Sequence, residues 1–202
     1  MISDPKKYWD EISQREDWKD HILPRKDDLD FNVEGLIEAH RLFYFFDKDS
    51  IVVDYGCGIG RVLKHIAKRA KYVVGLDICQ SFLNKAQEIK KDNIAYYLSD
   101  EYKKENVADM VYCLMVMQHN DKENQEKIIN HIYKILKVGG TAVISFPKGD
   151  YYQESETLHK FSKEEVGAFG SMFFIHRIIE GSLPNYEKKF EGNNEYFLIA
   201  IK

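Results

Sequence analysis

From residue 51 onward, short apolar runs alternate with segments in which apolar side chains recur every three or four residues. The runs at 51–56, 72–77, 94–99, 109–116 and 141–147 predict strands, and helices are predicted after Gly60, after the second strand and after Asn120. Asn120 is the expected N-cap of the last of these helices, and Gly139 and Gly140 are expected to end it. The run at 109–116 is the most apolar, as expected of a central parallel strand. This alternation predicts a doubly wound α/β fold, in which ligands bind at the carboxyl ends of the strands.

The two ends of the chain depart from the alternation. Residues 173–181 and 194–202 are strand-like and predict an antiparallel pair at the sheet edge, with a short helix at 162–169 before them. Residues 31–46, and less clearly 8–18, have a helical pattern. We therefore expect a single domain 1–202, with a helical cap or lid at 1–48, a ligand-binding core at 51–147, and a substrate loop with the C-terminal strands at 148–202.

Three glycines follow the first strand in the segment VVDYGCGIGR, residues 52–61. Gly56, Gly58 and Gly60 allow a ligand to approach the backbone closely, and Asp54 offers a carboxylate beneath the turn. A dinucleotide-binding turn requires glycine where Arg61 stands, and the lysine of a phosphate-binding P-loop is missing. The acidic group suits a positively charged ligand rather than a pyrophosphate. A tight turn that binds nothing is the alternative.

Two further acidic positions end the next two strands. Asp77 ends the second strand, where an acidic side chain can bind both hydroxyls of a ribose. Ser99 and Asp100 end the third, where a carboxylate can accept a hydrogen bond from the exocyclic amine of adenine. Capping of the following helix is the alternative for each acid. Together with the glycines, the three acids indicate one binding crevice.

Net charge, the lengths of the apolar runs and the cysteine spacing limit the classes of function that this chain is expected to have. The net charge is −4, so no basic field indicates a nucleic acid partner. The longest apolar run, 110–117, is too short to span a bilayer, and the N-terminus lacks the apolar segment of a secretory signal. Cys57, Cys79 and Cys113 lack metal-binding spacing and are expected to be reduced thiols in a cytoplasmic protein.

Four segments, in this order and spacing, resemble class I S-adenosylmethionine-dependent methyltransferases: VVDYGCGIGRVLKHIA, VGLDICQSFLNKA, ADMVYCLMVMQHN and ILKVGGTAVIS. The resemblance covers residues 51–147. It implies a mostly parallel, seven-stranded Rossmann-like sheet with an antiparallel C-terminal edge strand. It also implies S-adenosyl-L-methionine as cofactor, with S-adenosyl-L-homocysteine as product. The cofactor-binding residues that it implies are Asp54, Gly56, Cys57, Gly58, Gly60, Asp77, Ile78, Ser99, Asp100, Leu114 and Met115.

The resemblance also implies that Gln118 and His119 lie at the mouth of the substrate site. His119 is the candidate general base, because an imidazole titrates near neutrality. A helix cap or a bond to a backbone carbonyl is its alternative role. Tyr8 is the second candidate catalytic residue, and Tyr8, Trp9 and Trp18 offer aromatic faces to a sulfonium. For the two tryptophans, core packing is the favoured interpretation. The other histidines show no ligand spacing, so no metal is expected.

The expected function is transfer of a methyl group to a nitrogen or oxygen of a small polar metabolite by a monomer or homodimer. The combination of Tyr8 and His119 resembles the tyrosine–histidine pairs of phosphoethanolamine methyltransferases, which makes a phosphorylated amine one candidate acceptor. Cations in the cap and after the fifth strand are candidates to bind its anionic group: Arg15, Arg25, Lys26, Arg41, Lys148 and Lys160. The alternatives are an RNA or protein methyltransferase, a non-catalytic cofactor-binding subunit and an aminopropyl transferase, for which no acidic motif is present.

Overall fold

The computed structural model describes residue 2 and residues 4–22, 28–148, 159–181 and 195–202 of the chain. Arg25 and Lys26 lie outside these ranges, as do residues 149–158 and 182–194 of the expected substrate loop and C-terminal strands, 148–202. The helices are α1 (Pro5–Ser13), α2 (Trp18–Ile22), α3 (Asp28–Leu42), α4 (Leu63–Ile66), α5 (Gln80–Ala86), α6 (Lys122–Ile135) and α7 (Lys163–Gly170). The strands are β1 (Ile51–Tyr55), β2 (Tyr72–Asp77), β3 (Ile94–Leu98), β4 (Ala108–Cys113), β5 (Leu136–Pro147), β6 (Ile175–Glu180) and β7 (Glu195–Ile201).

The strands form a seven-stranded sheet in the order β3-β2-β1-β4-β5-β7-β6. β1 runs parallel to β2, β2 to β3, and β4 to β5. β7 runs antiparallel to both of its neighbours, β5 and β6. The predicted doubly wound, mostly parallel fold with antiparallel strands at the C-terminal edge is therefore confirmed, and β6 takes the outermost position.

By its contacts the chain divides into two compact units. Residues 4–103 form the N-terminal unit, which contains α1 to α5 and β1 to β3. Residues 104–202, together with the first three residues, form the C-terminal unit. Most residues of β1, β2 and β4 are buried. This burial agrees with their nearly continuous apolar sequence, which is typical of parallel strands covered on both faces.

Two element boundaries differ from the prediction. Asn120 was expected to cap α6, but the cap is Asp121, whose carboxylate accepts from the Asn124 N–H at 2.9 Å. Asn120 instead donates its side-chain amide to the Val116 carbonyl at 2.8 Å, which closes the 3-10 turn Met117–His119. The side chain cannot serve both the turn and the helix, so the cap passes to the next residue.

The second difference concerns β5, which begins at Leu136 rather than at residue 141. The glycines that were expected only to end α6 lie within this strand. Its pairing with β4 shifts between Ala108–Leu136 and Met110–Thr141, so the extra residues form an irregularity in the strand. A Cβ at Gly140 would lie 3.0 Å from the Ala108 carbonyl oxygen, and glycine therefore permits this close approach. In the part of the chain that the structure describes, no helix has the length and apolarity to cross a membrane.

Candidate functional site

The turn after β1 is built on left-handed backbone conformations. Gly56, Gly58 and Gly60 have φ angles of 83°, 52° and 76°, which glycine adopts without the steric cost of a Cβ. The N–H groups of Gly56 and Cys57 both donate to the Leu76 carbonyl, at 2.7 and 2.9 Å. The glycine turn is thereby attached to the end of β2, next to Asp77.

The glycines of this turn serve different purposes. A Cβ on Gly60 would lie 2.8 Å from the Ile89 side chain, so this position is bare because the protein packs against it. A Cβ on Gly58 would meet no atom within 4 Å. Gly58 therefore has open space beside its backbone, as a ligand-binding glycine requires.

Asp77 is buried and holds the turn in place. One oxygen of its carboxylate accepts from the Gly58 N–H at 2.8 Å and the other from the Cys79 N–H at 2.9 Å. Burial raises the pKa of Asp77, and the hydrogen bonds from Cys79, Gly58 and Ile78 oppose this effect by stabilising the charged form. Ile78 thus contributes its backbone, and its side chain is half-buried. The sequence predicts Asp77 as a site residue but carries no signal for its hydrogen bond with Gly58.

Asp54, near the end of β1, and Cys57, within the turn, are both buried. Burial, followed by the charges of Asp54 and Asp77, raises the pKa of the Cys57 thiol well above its usual value. The thiol is therefore protonated and unsuited to nucleophilic chemistry. Tyr96 fills the space left by glycine on the neighbouring strand, since a Cβ on Gly75 would lie 2.8 Å from its ring.

Ser99 and Asp100 follow β3 with different exposures. Ser99 is buried, and its N–H donates to the Asp77 carbonyl at 2.8 Å. Asp100 is exposed, and its carboxylate pairs with the Lys6 ammonium of α1 at 3.0 Å. Sequence reasoning did not identify Lys6, since nothing in the sequence links positions so far apart.

The N-terminal helices pack on α5. Ile12, Cys79 and Phe82 form a buried cluster, and five partly buried residues pack against it: Tyr8, Trp9, Trp18, Ile22 and Ile59. The rings of Trp9 and Trp18 lie 6.1 and 5.8 Å from that of Phe82. Core packing of the tryptophans, the favoured interpretation, agrees with these contacts. The Tyr8 ring is half-buried against Trp9, with 5.1 Å between their centroids.

Helix α3 approaches the glycine turn closely, a contact that sequence reasoning missed. A Cβ on Gly35 would lie 2.5 Å from the Arg61 carbonyl oxygen, so α3 rests against the backbone at this point. Glu38, one helical turn further on, is bonded to Arg41 at 3.1 Å. A glycine inside a predicted helix is the only sequence signal that such a contact leaves.

In the C-terminal unit, the chain leaves β4 through a strained position. Met115 has a φ angle of 60°, which is rare for a residue with a side chain. Its N–H donates to Ser145 Oγ at 3.0 Å. Leu114 is half-buried beside it. Backbone strain of this kind persists only where the surroundings enforce it, and it is frequent at functional sites.

His119 ends the 3-10 turn and is half-buried. Its N–H donates to the Val116 carbonyl at 3.1 Å. Gln118, directly before it, is buried, and its carbonyl accepts from the His159 N–H at 2.8 Å. The structure therefore brings Gln118 together with Met115 and His159 in this unit.

Several candidate anion-binding cations already have acidic partners. Arg15 pairs with Asp17 at 2.7 Å, and Lys148 pairs with Glu180. Arg41 pairs with Glu38, as described above. Among the described residues, no group of three or more His, Cys, Asp or Glu side chains is arranged to hold a metal ion.

Comparison with known proteins identifies the family. Residues 53–144 match the family described as a methyltransferase domain. Phosphoethanolamine N-methyltransferase 1 of Triticum aestivum is 33% identical over 213 residues, which cover 94% of this chain but only 42% of the wheat protein. A ubiquinone biosynthesis O-methyltransferase of Rickettsia canadensis is 30% identical over 187 residues, covering 86% of this chain and 74% of that protein.

A solved structure shares the fold. Phosphoethanolamine N-methyltransferase 1 of Haemonchus contortus, in complex with phosphoethanolamine and S-adenosylhomocysteine, superposes with a TM-score of 0.74 at 17% identity. The match covers 96% of this chain and 47% of that one. The chain thus spans less than half of both phosphoethanolamine methyltransferases. With the match to the Rickettsia relative over most of its length, these findings show that the chain belongs to the S-adenosylmethionine-dependent methyltransferases.

Proposed function

We propose that this chain transfers a methyl group from S-adenosylmethionine to the nitrogen of a small polar amine, and that the acceptor is a phosphorylated amine. The observation that carries the proposal is the relation to the wheat phosphoethanolamine N-methyltransferase, which extends over 94% of this chain. A relation of that extent includes the N-terminal helices and the C-terminal strands, the parts outside the cofactor-binding core from which an acceptor site would be built.

S-Adenosylmethionine is the cofactor of this family, and the N-terminal unit has features that fit it. Gly58 leaves open space at its bare backbone. The Asp77 carboxylate accepts hydrogen bonds from Gly58 and Cys79, and a carboxylate with about four acceptor sites retains capacity for a ribose hydroxyl. We expect the following residues of this unit to hold the cofactor: Asp54, Gly56, Cys57, Gly58, Gly60, Asp77, Ile78, Ser99 and Asp100. In the C-terminal unit, Leu114 and Met115 are the candidates for cofactor contact.

The bound cofactor supplies a methyl group that is already activated on a sulfonium. The tasks left to the protein are alignment of the acceptor, exclusion of water and removal of a proton from the acceptor nitrogen. We propose that an imidazole nitrogen of His119 accepts this proton. We propose that the hydroxyl of Tyr8 orients the methyl acceptor. Both side chains are half-buried, which leaves part of each ring available to a small ligand.

Methyl transfer to oxygen is the second candidate, favoured by the relation to the Rickettsia O-methyltransferase, of which this chain covers 74%. A nucleic acid acceptor is disfavoured by the net charge of −4. A non-catalytic cofactor-binding subunit would need the glycine turn and Asp77 but not His119, and this difference separates it from an enzyme.

Mass spectrometry of the purified chain with S-adenosylmethionine tests the proposal. The chain is incubated separately with phosphoethanolamine, ethanolamine and a catechol, and methylated products are measured beside S-adenosylhomocysteine. The expected result is methylated phosphoethanolamine in excess over the other products. Methylation of the catechol alone would establish the oxygen-directed candidate, and cofactor binding without any product would favour the non-catalytic subunit.

A further inference from the structure

Gln118 carries a buried polar atom for which the described part of the chain provides no hydrogen-bond partner. The residue is 1% exposed and lies in the 3-10 turn after β4. Within the described part of the chain, its side-chain oxygen Oε1 has no hydrogen-bond partner. A buried acceptor without a donor destabilises the folded protein. A hydrogen-bond donor that arrives with a ligand would remove this cost.

The orientation of the amide identifies the unsatisfied atom as the acceptor. The side-chain Nε2 of Gln118 lies 3.9 Å from Met115 Sδ, within the range of a weak hydrogen bond to a thioether. The reverse orientation would place the amide oxygen against sulfur, where two acceptors would face each other. The amide nitrogen therefore points to Met115, and the carbonyl oxygen is left to accept.

Both neighbours of this amide are themselves held in place. The Met115 N–H donates to Ser145 Oγ at 3.0 Å, which supports its left-handed conformation. On the other side, the His159 N–H donates to the Gln118 backbone carbonyl at 2.8 Å. The Met115 sulfur thus holds the amide nitrogen of Gln118, and the bond from His159 holds its backbone. These two contacts fix the direction of the side-chain oxygen before any ligand binds.

Gln125 provides a comparison within the same region. It is 3% exposed, and its Nε2 donates to the Met117 and Asn120 carbonyls at 3.1 and 2.8 Å. The backbone of this region therefore satisfies the amide nitrogen of Gln125, and of these two glutamines only Gln118 has a buried side-chain oxygen without a partner among the described residues. The unsatisfied oxygen of Gln118 is a property of that one position.

We propose that Gln118 is a specificity-determining residue whose side-chain oxygen accepts a hydrogen bond from the N–H of the methyl acceptor. This inference rests on the proposed function, transfer to a phosphorylated amine. An amine that retains a hydrogen on nitrogen satisfies the buried oxygen, whereas a quaternary ammonium has no N–H and leaves it unpaired. The site therefore discriminates against the fully methylated product, because a polar site rejects a ligand that lacks the matching group.

The first test compares Gln118→Leu with Gln125→Leu in thermal unfolding without ligand. Gln118→Leu removes an unsatisfied polar group and is expected to unfold at the wild-type temperature or above it. Gln125→Leu removes two hydrogen bonds, leaves two carbonyls buried, and is expected to unfold at a lower temperature. Equal destabilisation by the two substitutions would mean that the Gln118 oxygen is satisfied in solution, and it would overturn the proposal.

The second test measures, by calorimetry with saturating S-adenosylhomocysteine, the binding of phosphoethanolamine and phosphocholine. The wild type is expected to prefer phosphoethanolamine by about tenfold or more, the effect of one hydrogen bond to a charged group, and Gln118→Leu to lose this preference. An unchanged preference in the variant would contradict the role of Gln118. Failure of the wild type to bind phosphoethanolamine would overturn the phosphorylated-amine acceptor and this inference with it, while retained S-adenosylhomocysteine binding would leave the methyltransferase assignment intact.

Discussion

At the residue scale, the carboxylate of Asp77 has one structural role and one expected binding role. It accepts from the backbone of Gly58 and Cys79, and it is the residue that we expect to bind the ribose. Asp77→Ala should therefore weaken S-adenosylmethionine binding by at least about tenfold in calorimetry, since it removes hydrogen bonds to a charged group. It should also lower the unfolding temperature, because the Gly58 and Cys79 N–H groups lose their acceptor.

Asp109 offers a matched control for that substitution. It lies on β4 and pairs with Lys137 at 2.7 Å in a partly exposed position. Asp109→Ala should leave cofactor affinity at the wild-type value, since Asp109 is not among the residues expected to bind the cofactor. Its effect on stability should also be small, because the ion pair is exposed. If Asp77→Ala retained wild-type affinity as well, its assignment to the ribose would be wrong.

His119 is the second residue whose role a single substitution decides. If His119 is the base that takes the proton from the methyl acceptor, His119→Ala should lower turnover by roughly 10²–10⁴-fold. Cofactor affinity should change little. Tyr8→Phe should change turnover in the same direction. His176→Ala, at an exposed position on β6, serves as the control and should retain wild-type turnover. Near-normal turnover of His119→Ala would mean that His119 is not the base and that the protein contributes to catalysis only by aligning the acceptor with the cofactor.

At the element scale, helix α4 contains a pH-sensitive position. Both ring nitrogens of His65 are buried, and among the described residues neither has a hydrogen-bond partner. Burial, followed by the charges of Lys64, Lys68 and Arg61, lowers the pKa of His65 to about 4. Because the folded protein disfavours the protonated ring, this contribution to stability is complete above the unfolded-state pKa near 6.5 and is lost as the pH falls toward 4.

Denaturant unfolding between pH 7 and pH 4 measures this effect. The free energy of unfolding should fall by about 1–2 kcal/mol through His65, after allowance for solvent screening at a half-buried position. His65→Leu should remove this part of the pH dependence, whereas His40→Gln, at an exposed position on α3, should retain it. A profile that His65→Leu does not change would show that the ring has partners in solution.

The N-terminal helices form the second element with a testable role. Ile12 packs in the cluster with Phe82, and Lys6 pairs with Asp100. Because an exposed ion pair contributes at most about 1 kcal/mol, the apolar contacts provide the main attachment. The helices are thus fixed beside the residues that we expect to bind the cofactor.

Hydrogen exchange measures whether α1 also covers the ligand. Amides of residues 4–22 should exchange more slowly when S-adenosylhomocysteine is bound, since a ligand covered by these helices opposes their local unfolding. Amides of β6 serve as the comparison and should exchange at the same rate with and without ligand. Equal rates in α1 for the free and bound protein would make this segment ordinary structure rather than a lid.

At the scale of the whole molecule, binding to the folded state alone raises stability by mass action. S-Adenosylhomocysteine at one hundred times its dissociation constant should contribute about 2.7 kcal/mol, which corresponds to an increase in the unfolding temperature of about 5–11 °C for a chain of this size. Differential scanning fluorimetry with increasing ligand measures the shift. Asp77→Ala should need a higher ligand concentration for the same increase, and no shift in the wild type would contradict cofactor binding.

The order of the elements was readable from the sequence, because the spacing of apolar residues differs between helices and strands. The bounds of β2 agree with the prediction, and β1 and β3 differ from it by one residue at the end. The glycine turn was predictable for a related reason: positions with positive φ favour glycine, so Gly56, Gly58 and Gly60 are visible in the sequence itself.

The tertiary structure alone decided which groups meet across the chain. Asp77 binds the N–H of Gly58, 19 residues away, and Asp100 pairs with Lys6, 94 residues away. It also decided that, among the described residues, the buried side-chain oxygen of Gln118 lacks a hydrogen-bond partner, while the amide nitrogen of the buried Gln125 donates to two carbonyls. Periodicity in a sequence reports only which face of an element is buried. Hydrogen bonding depends on the direction and distance of single atoms, and these exist only once the elements are packed together.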